Sequence, residues 1–592
     1  MTGHRARHWT PRSRDPQAER RLVDAGTDPL LARVYAARGV HTPEQLERRA
    51  SALERPDGLL GMEQAVSVLA RAMERDATIC MVGDFDCDGA TSTALSVVAL
   101  RAMGARVTYV IPDRFRFGYG LTPGIVTEAA DQLAPDVLVT VDNGISSRDG
   151  VAAARERGMA VVITDHHLAP AELPHADAIV NPNQPGCPFP AKSSAGVGVI
   201  FYVMAALRAH LREGGWFTAR GLEEPNLNEL LDLVAVGTVA DVVPLERNNR
   251  ILVHQGLGRI RAGKARPGVR ALVEVAGREP EQLRGADLGF VVGPRLNAAG
   301  RLEDMSLGIR CLLAADFGEA RELARELDSL NQQRRSLEAD MHDDAVEALA
   351  DDPALAERHG ICLYREDWHQ GVVGLVASRI KERLHRPVIA FAPGDGGLLK
   401  GSGRSVAGIH IRDVLDRVAS THDGLLSRFG GHAMAAGLSL EPDRLAVFEE
   451  AFDNAVRELA DPEALTPRLE TDGELGPEEL NLRKAELLES GGPWGTGFPP
   501  PLFQGRFRVQ EMRVVGHNHL KMWLCPDGGD FTIEAIQFRG APEGRIPELE
   551  AVEMAYRLEV NTFRGRRSVQ LVVEECREAG RSGSADGGYA AS

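Results

Sequence analysis

Three aspartates, Asp84, Asp86 and Asp88, stand at alternate positions in the stretch MVGDFDCDGATST that runs from Met81 to Thr93. They follow an apolar run and are closed by Gly89. Carboxylates at that spacing repel, so the arrangement is costly unless a cation sits among them. Taken alone, the stretch is better read as a solvated Asp-rich turn. Its D-x-D-x-D-G pattern also matches the first half of an EF-hand loop. Such a loop needs a Glu at its twelfth position, where this chain has Leu95, and a helix before it, where this chain has TICMV. Calcium-sensor chemistry is therefore excluded.

More acids and imidazoles follow: Asp142 in VDNGIS, Asp165 with His166 and His167 in TDHH, and Asp241 in LLDLVAVGTVADVVPL. The elements that must position them alternate along the chain. Strand-like runs ATICMVG, RVTYVIP, DVLVTVD, MAVVITD and DAIVNPN are separated by helix-like stretches such as 91–103 and 147–158. That alternation predicts a parallel sheet covered on both faces. In such sheets ligands bind beyond the carboxyl ends of the strands. Three strand ends here deliver Asp or His to one edge, which makes a metal site the better explanation of the acids. The peptide 237–241 is expected to form a turn that places Asp241 inward. An oxygen-rich set with one or two imidazoles suits Mn2+ or Mg2+ better than Zn2+. Two such ions about 4 Å apart can activate a water and stabilise a leaving oxygen in phosphoryl chemistry.

The whole chain sets the wider bounds. At 592 residues it should form several domains. It is 43% hydrophobic and 26% charged, with no apolar stretch long enough to span a bilayer. A net charge of -17 argues against a chain-wide electrostatic grip on nucleic acid but leaves room for a local basic groove. Seven cysteines without CxxC spacing give neither a disulfide framework nor a zinc site, which fits a reducing compartment. The N-terminal MTGHRARHWTPRSRD is basic but lacks the apolar core of a signal peptide, so it is expected to be a disordered arm of a cytoplasmic protein. The tail REAGRSGSADGGYAAS is expected to be disordered as well.

Other segments carry weaker signals. DRFRFGYG offers Arg114, Arg116 and Tyr119, which suit a strand-guiding edge or an ordinary exposed loop. From 319 to 349, Leu323, Leu327, Leu330, Leu337, Met341 and Ala345 recur at helical spacing, predicting one long structural helix between two domains. HQGVVG and GSGRS place glycines, a hydroxyl and Arg404 where backbone amides could approach an anion, although neither has P-loop spacing. Beyond GPWGTGFPPPLF, five short strand-like runs fit an OB-like barrel. Its Trp523, Phe538, Phe563, Arg539, Arg564, Arg566 and Arg567 could serve a nucleic-acid strand, or could be core aromatics with solvated arginines.

DFDCDG, VDNG, TDHH and GTVADVVPL, in this order, resemble the four motifs of the DHH phosphoesterase family. NPNQPGCPFPAKSSAGVGV, GPRLNAAGRLEDMS, WHQGVVGLVASRIKERLHRPVIAF, GSGRS and FGGHAMAAGLSL extend the likeness to its bacterial single-stranded-DNA-specific exonucleases, over about residues 25–577. The resemblance implies that Asp86, Asp88, Asp142, His166 and Asp241 coordinate metal, with two Mn2+ or Mg2+ ions as cofactors. It implies catalytic roles for Asp84, Asp142, His166 and His167, with Asp165 in or beside the metal shell and His167 at the scissile phosphate. Adjacent side chains diverge in an extended backbone, so the two histidines are expected to divide their labour. Arg114, Tyr119, Arg295, Arg301, Ser402, Arg404 and His432 are expected to bind nucleic acid. Cys87 replaces the commoner Ala of the first motif and should behave as a small buried apolar group.

The implied architecture is a multidomain α/β protein. It has a disordered arm (1–24), an N-terminal segment with a parallel-sheet DHH domain (25–310) and a linking helix (311–351). A DHH-associated α/β domain (352–460), an OB-like β-barrel (461–577) and a disordered tail (578–592) follow. The implied activity is 5′→3′ removal of mononucleotides from single-stranded DNA in recombination and repair. Implied partners are single-stranded DNA, a single-strand-binding protein and a helicase, with no membrane, for a cytoplasmic monomer. Two alternatives are a DHH phosphatase of small phosphorylated substrates, disfavoured by the barrel, and a non-catalytic repair scaffold, disfavoured because all the motif acids and histidines are present.

Overall fold

The computed structural model describes residues 7–113 and 116–579. They fall into two compact units. The first comprises residues 49–243 and 251–468, and the second comprises 9–48, 244–250 and 469 onward.

The first unit contains the expected parallel sheet. Its strands run in the order Arg106–Val110, Thr78–Val82, Val137–Val141, Ala160–Thr164 and Ala178–Val180. Alternate residues enter opposite cores, as the two-residue strand period requires. Ile79, Met81, Val137, Val139 and Val141 pack into one, while Cys80, Val82, Leu138, Val161 and Ile163 pack into the other. The chain places its second strand on one side of Thr78–Val82 and its third on the other. The carboxyl ends of Thr78–Val82 and Val137–Val141 therefore flank a topological switch point, where such sheets leave a ligand crevice.

Two local expectations are corrected. The helix after the first strand begins at Cys87, not Thr91, because the Asp86 side chain accepts a hydrogen bond from the Gly89 amide and caps it. Nor is 237–241 a turn. Residues Leu231–Ala240 form a helix that is apolar on every face and therefore buried, with Asp241 at its C-cap. Gly237 permits the close approach of this helix to Cys87–Ala102, since a Cβ there would lie 2.3 Å from Thr91 Oγ1 and 2.8 Å from Asp88 Oδ1.

The long helix spans Phe317–Asp351, started by Asp316, whose side chain accepts from the Gly318 and Glu319 amides. Ser306–Leu313 is a separate helix. Ala320, Leu323, Ala324, Leu327 and Leu330 join the core of the parallel-sheet domain, whereas Met341, Ala345 and Leu349 join that of the next domain. Leu337, expected on the apolar stripe, is exposed because it lies where the helix passes between the two cores. The next domain holds a mixed sheet ordered Arg428–Gly431, Ala435–Leu440, Leu399–Arg404, Val388–Pro393 and Ile361–Tyr364. Helix Val373–Leu384 packs against it in a core with Ile361, Val388 and Ala390.

The second unit is built on a closed barrel in the order Phe503–Val515, His519–Pro526, Ile533–Gln537, Arg566–Glu578 and Ala551–Phe563. Ile533–Gln537 and Arg566–Glu578 pair parallel and the other neighbours antiparallel. The disordered arm expected over 1–24 is corrected from residue 8 onward. His8–Pro11 forms a strand paired with Arg468–Thr471, and Pro16–Asp24 forms a helix. Trp9 is buried with Leu502 and Ala555, and Asp15 with Pro16 starts a helix whose Ala18 and Leu22 are buried at i, i+4 spacing. Residues 1–6 lie outside the described residues, as does the expected tail from 580 on. Glu578 still belongs to the last strand.

Residues 25–48 also pack with the barrel unit and not with the parallel-sheet domain. A buried ion pair and an aromatic contact tie this segment to that unit. Arg38 donates through Nη1 to Asp472 Oδ1 at 2.7 Å and through Nη2 to Asp472 Oδ2 at 3.0 Å, with both side chains 1% exposed. Arg38 also donates to the Pro499 carbonyl, and Asp472 accepts from the Leu502 amide. Tyr35 donates to the Gly491 carbonyl and packs on Phe498. Removing one partner of such a pair leaves a buried charge uncompensated. Arg38→Ala should therefore destabilise the second unit by about 3–5 kcal/mol, read as faster amide exchange in Phe503–Val515 and Ala551–Phe563 under mild denaturant.

Candidate metal centre

The acids and histidines meet at the switch point. Asp84 and Asp86 lie in the loop after Thr78–Val82, and Asp88 in the first turn of Cys87–Ala102. Asp88 is buried and accepts from the Gly196 amide at 2.6 Å and the Val197 amide at 3.0 Å, at the N-terminus of helix Gly196–Glu213. Asp142 follows Val137–Val141 with φ +64°, a left-handed conformation that short polar residues tolerate better than most. A Cβ at Gly196 would sit 2.7 Å from the Asp142 carboxylate, so glycine leaves room for it.

Three groups have ligand atoms within 4.8 Å of one another: Asp84, Asp86 and Asp142; Asp88, His166 and Asp241; Asp142, His166 and His167. They share Asp142 and His166, as a pair of neighbouring cation sites would. His166 Nε2 lies 3.1 Å from Asp142 Oδ1 and 3.5 Å from Asp241 Oδ2, yet all three atoms are buried without a hydrogen-bond partner. Buried polar atoms are rarely left in that state. Burial pushes the Asp88 carboxyl up to about 7 and those of Asp142 and Asp241 well above the carboxylate range, and the neighbouring acids push the same way. Burial, followed by His167, drives His166 down to about 4, leaving a neutral imidazole with its lone pair available. Orphaned oxygens and a neutral nitrogen converging on one place fit a divalent cation with a preference for oxygen.

The expected divergence of the two histidines is corrected. The backbone past Ala160–Thr164 is not extended there, because Asp165 Oδ1 accepts from the amides of both His166 and His167. Their rings consequently lie side by side, with centroids 4.5 Å apart. Asp165 faces away from the cation groups. Its Oδ2 accepts from the Ile145 amide, while Oδ1 contacts His167 Nδ1 at 2.8 Å. Burial works against a charge on His167, but the bond to Asp165 outweighs it and holds the imidazole above its ordinary value. Half-exposed Tyr119 donates to the Asp142 carbonyl and reaches His167 Nδ1 at 3.2 Å. His432 of the mixed-sheet domain stacks on His167 with centroids 5.9 Å apart.

The other expected contact residues are distributed unevenly. Arg301 donates to the Gly371 carbonyl of HQGVVG. Arg404 donates to Ser402 Oγ and packs under Gly374, where a Cβ would meet its guanidinium at 2.7 Å. Arg295 is committed elsewhere, donating to the Val291 carbonyl and pairing with Asp328 of the long helix at 2.8 Å. Arg114 lies outside the described residues. Cys87 is buried in the apolar core, where burial and then Asp86 hold its thiol protonated. In the barrel, Phe538 and Phe563 face solvent, while Trp523 lies between Arg513 and Lys521. Arg567 pairs with Glu486, and Arg564 covers Phe563.

Four asparagines beside the centre were given no role in the sequence. Asn143 donates to the carbonyls of Val82, Gly83 and Val141, and Asn297 accepts from the Cys87 amide. Asn181 and Asn183 donate to the carbonyls of His167 and His166. Their position inside or next to the motifs VDNG, NPNQPG and GPRLNAAG was the available signal.

Residues 78–238 match the DHH family, N-terminal domain, residues 339–458 match the DHHA1 domain, and residues 471–575 match the RecJ OB domain. The chain is 55% identical to the single-stranded-DNA-specific exonuclease RecJ of Dickeya dadantii, across 95% of this chain and 98% of that protein. It is 51% identical to the protein of the same name from Escherichia coli, across 94% and 98%. The crystal structure of RecJ in complex with Mn2+ from Thermus thermophilus aligns with a TM-score of 0.80 at 30% identity, covering 97% of this chain and 80% of that one. The Mg2+ complex from the same organism aligns at 0.73 and 28% identity, with 97% and 79% covered.

A buried set of like charges destabilises the metal-free protein, and a cation reverses that. Asp142→Asn should raise the melting temperature in EDTA and reduce the further rise on adding Mn2+. Thermal unfolding of both proteins with EDTA and with Mn2+ checks this. A variant that melts lower in EDTA and gains the full Mn2+ increment would contradict the site.

Proposed function

The chain belongs to the RecJ family of single-stranded-DNA-specific exonucleases, and from that membership we propose that it is a metal-dependent exonuclease acting on single-stranded DNA. It hydrolyses phosphodiester bonds from the 5′ end and releases mononucleotides, in DNA recombination and repair. The observation that carries the reading is the convergence of His166 Nε2, Asp142 Oδ1 and Asp241 Oδ2, buried and unpartnered, at the switch point of the sheet.

In this reading Asp86, Asp88, Asp142, His166 and Asp241 hold two Mn2+ or Mg2+ ions, with Asp84 at the edge of the set. When bound, the ions activate a water and neutralise charge on the phosphate. The protein's own residues do the rest. Asp88 is aimed by the two helix-terminal amides, and His166 is kept neutral by burial. His167, its proton favoured by Asp165, meets a phosphate oxygen together with Arg404, and Tyr119 fixes the ring that does so. Ser402, Arg301 and His432 complete the phosphate-facing edge. Arg295, occupied by Asp328, acts on the packing of the long helix and not on the strand.

Selection of single strands would follow if the groove between the parallel-sheet and mixed-sheet domains is too narrow for a duplex. The outward Phe538 and Phe563 of the barrel supply faces on which bases stack irrespective of sequence. Seven thiols without a disulfide support a cytoplasmic protein, and no described helix is long and apolar enough to cross a membrane. It works as a monomer on strands delivered by a helicase and a single-strand-binding protein.

An oligonucleotide labelled at either end tests the activity. With Mn2+ or Mg2+, labelled mononucleotide should appear at once from the 5′-labelled single strand, while the duplex and the EDTA control stay intact. Binding without hydrolysis would favour a scaffold, and hydrolysis confined to small phosphorylated compounds would favour a phosphatase. His166→Ala should abolish release under the same conditions, and near-normal turnover would refute its assignment.

A further inference from the structure

The metal-bearing segments come from separate parts of the chain, and nothing in a strand end by itself holds a loop rigid. Around this centre the loops are tied from behind by neutral side-chain amides. Asn143 is fully buried. Its Nδ2 shares its two hydrogens among Val82 O at 3.1 Å, Gly83 O at 3.2 Å and Val141 O at 2.9 Å, so one amide joins the end of Thr78–Val82 to the end of Val137–Val141. The segment carrying Asp84, Asp86 and Asp88 is thereby fixed to the segment carrying Asp142. Asn181, also fully buried, donates to His167 O at 2.9 Å, and Asn183 donates to His166 O at 2.6 Å. Asn181 Oδ1 in turn accepts from the Asn183 amide at 2.7 Å, and Asn183 donates to Lys192 O at 3.2 Å, so the pair is itself anchored.

We propose that Asn143, Asn181 and Asn183 are positioning residues that set the divalent-cation affinity of the centre by gripping the main chain beneath its ligands. The inference rests on the metal reading of this site. The amide is the side chain suited to the task. It donates two hydrogen bonds to carbonyl oxygens without adding charge, whereas a carboxylate presents only acceptors to those carbonyls and a lysine or arginine would compete with the cation for the carboxylates. Partners that orient metal ligands from behind affect affinity by roughly 10–100-fold.

Asn297 provides the control, because it works in the opposite sense: its Oδ1 accepts from the Cys87 amide at 2.7 Å. Asn183→Asp removes a donor, while Asn297→Asp keeps the acceptor. Each adds one negative charge near the cations, so charge alone would tighten metal binding in both. The measurement is Mn2+ binding to the full chain, read from the electron paramagnetic resonance signal of free Mn2+. Melting temperatures in EDTA run alongside as the index of folding.

Asn183→Asp and Asn143→Leu should weaken Mn2+ binding on the order of 10–100-fold, while Asn297→Asp binds as tightly as the parent or more tightly. If Asn143→Leu fails to fold, the Asn183 and Asn297 pair decides alone. Unchanged Mn2+ affinity in Asn183→Asp overturns the proposal, as does an equal loss in Asn297→Asp. A parent protein that binds no Mn2+ overturns the metal reading itself, which separates that failure from failure of the positioning role.

Discussion

Mutual repulsion among buried carboxylates is the constraint on which this structure turns. Asp84, Asp86, Asp88, Asp142 and Asp241 are gathered where burial and their neighbours push Asp88, Asp142 and Asp241 toward the protonated form. A chain free to relax would move these acids apart. They stay together because each is attached to an element whose position is decided by apolar packing elsewhere. Helix Leu231–Ala240 is buried on every side and delivers Asp241 at its end. Strands Thr78–Val82 and Val137–Val141 are buried on both faces and deliver the other four. The hydrophobic cores thus supply the free energy that assembles a site which, without cations, opposes its own assembly.

Hydrogen bonds then refine what packing assembles. The amides at the start of Gly196–Glu213 face Asp88, and the positive end of that helix favours a carboxylate there. Asp165 does the reverse work. It is held below the ordinary carboxylate range although burial raises it, because His167 and the Ile145 amide favour its charge. One acid at the centre thus has its charge favoured by its own partners and in turn favours the protonated form of His167, while those beside it call for a metal. Two carboxylate environments at one strand edge give two roles, which is how a single residue type can serve both cation binding and phosphate recognition.

Most of the parallel-sheet domain was legible because its signals are local. Short apolar runs ending in Asp or His announce strands and a crevice at their carboxyl ends, and the motifs stand in the order that the sheet uses. The failures share a physical cause, since each depended on partners distant in sequence. The turn foreseen at 237–241 is the end of a helix buried against Cys87–Ala102, an approach that Gly237 permits beside Thr91 and Asp88. The arm foreseen at 1–24 is structured from His8 on because Leu502 and Ala555 cover Trp9. The histidines expected to diverge converge because the Asp165 side chain, and not the strand, dictates their backbone. The asparagines escaped notice for the same reason. An amide that ties two carbonyls together has no periodicity and no charge, and only the folded chain shows what it holds.

The chain's negative charge can be reconciled with a polyanionic substrate. Two arginines are committed internally: Arg295 to Asp328 and Arg38 to Asp472. They build the scaffold, and the net charge of -17 means that a broad electrostatic grip on nucleic acid is not what the chain offers. Around the metal centre, His432 stacks on His167, and Arg404 donates to Ser402 Oγ, so basic side chains gather beside the carboxylates. In the barrel, Phe538 and Phe563 are exposed. For an enzyme that advances along its substrate one nucleotide at a time, weak contact along the track and strong contact at the chemistry is the arrangement that permits movement.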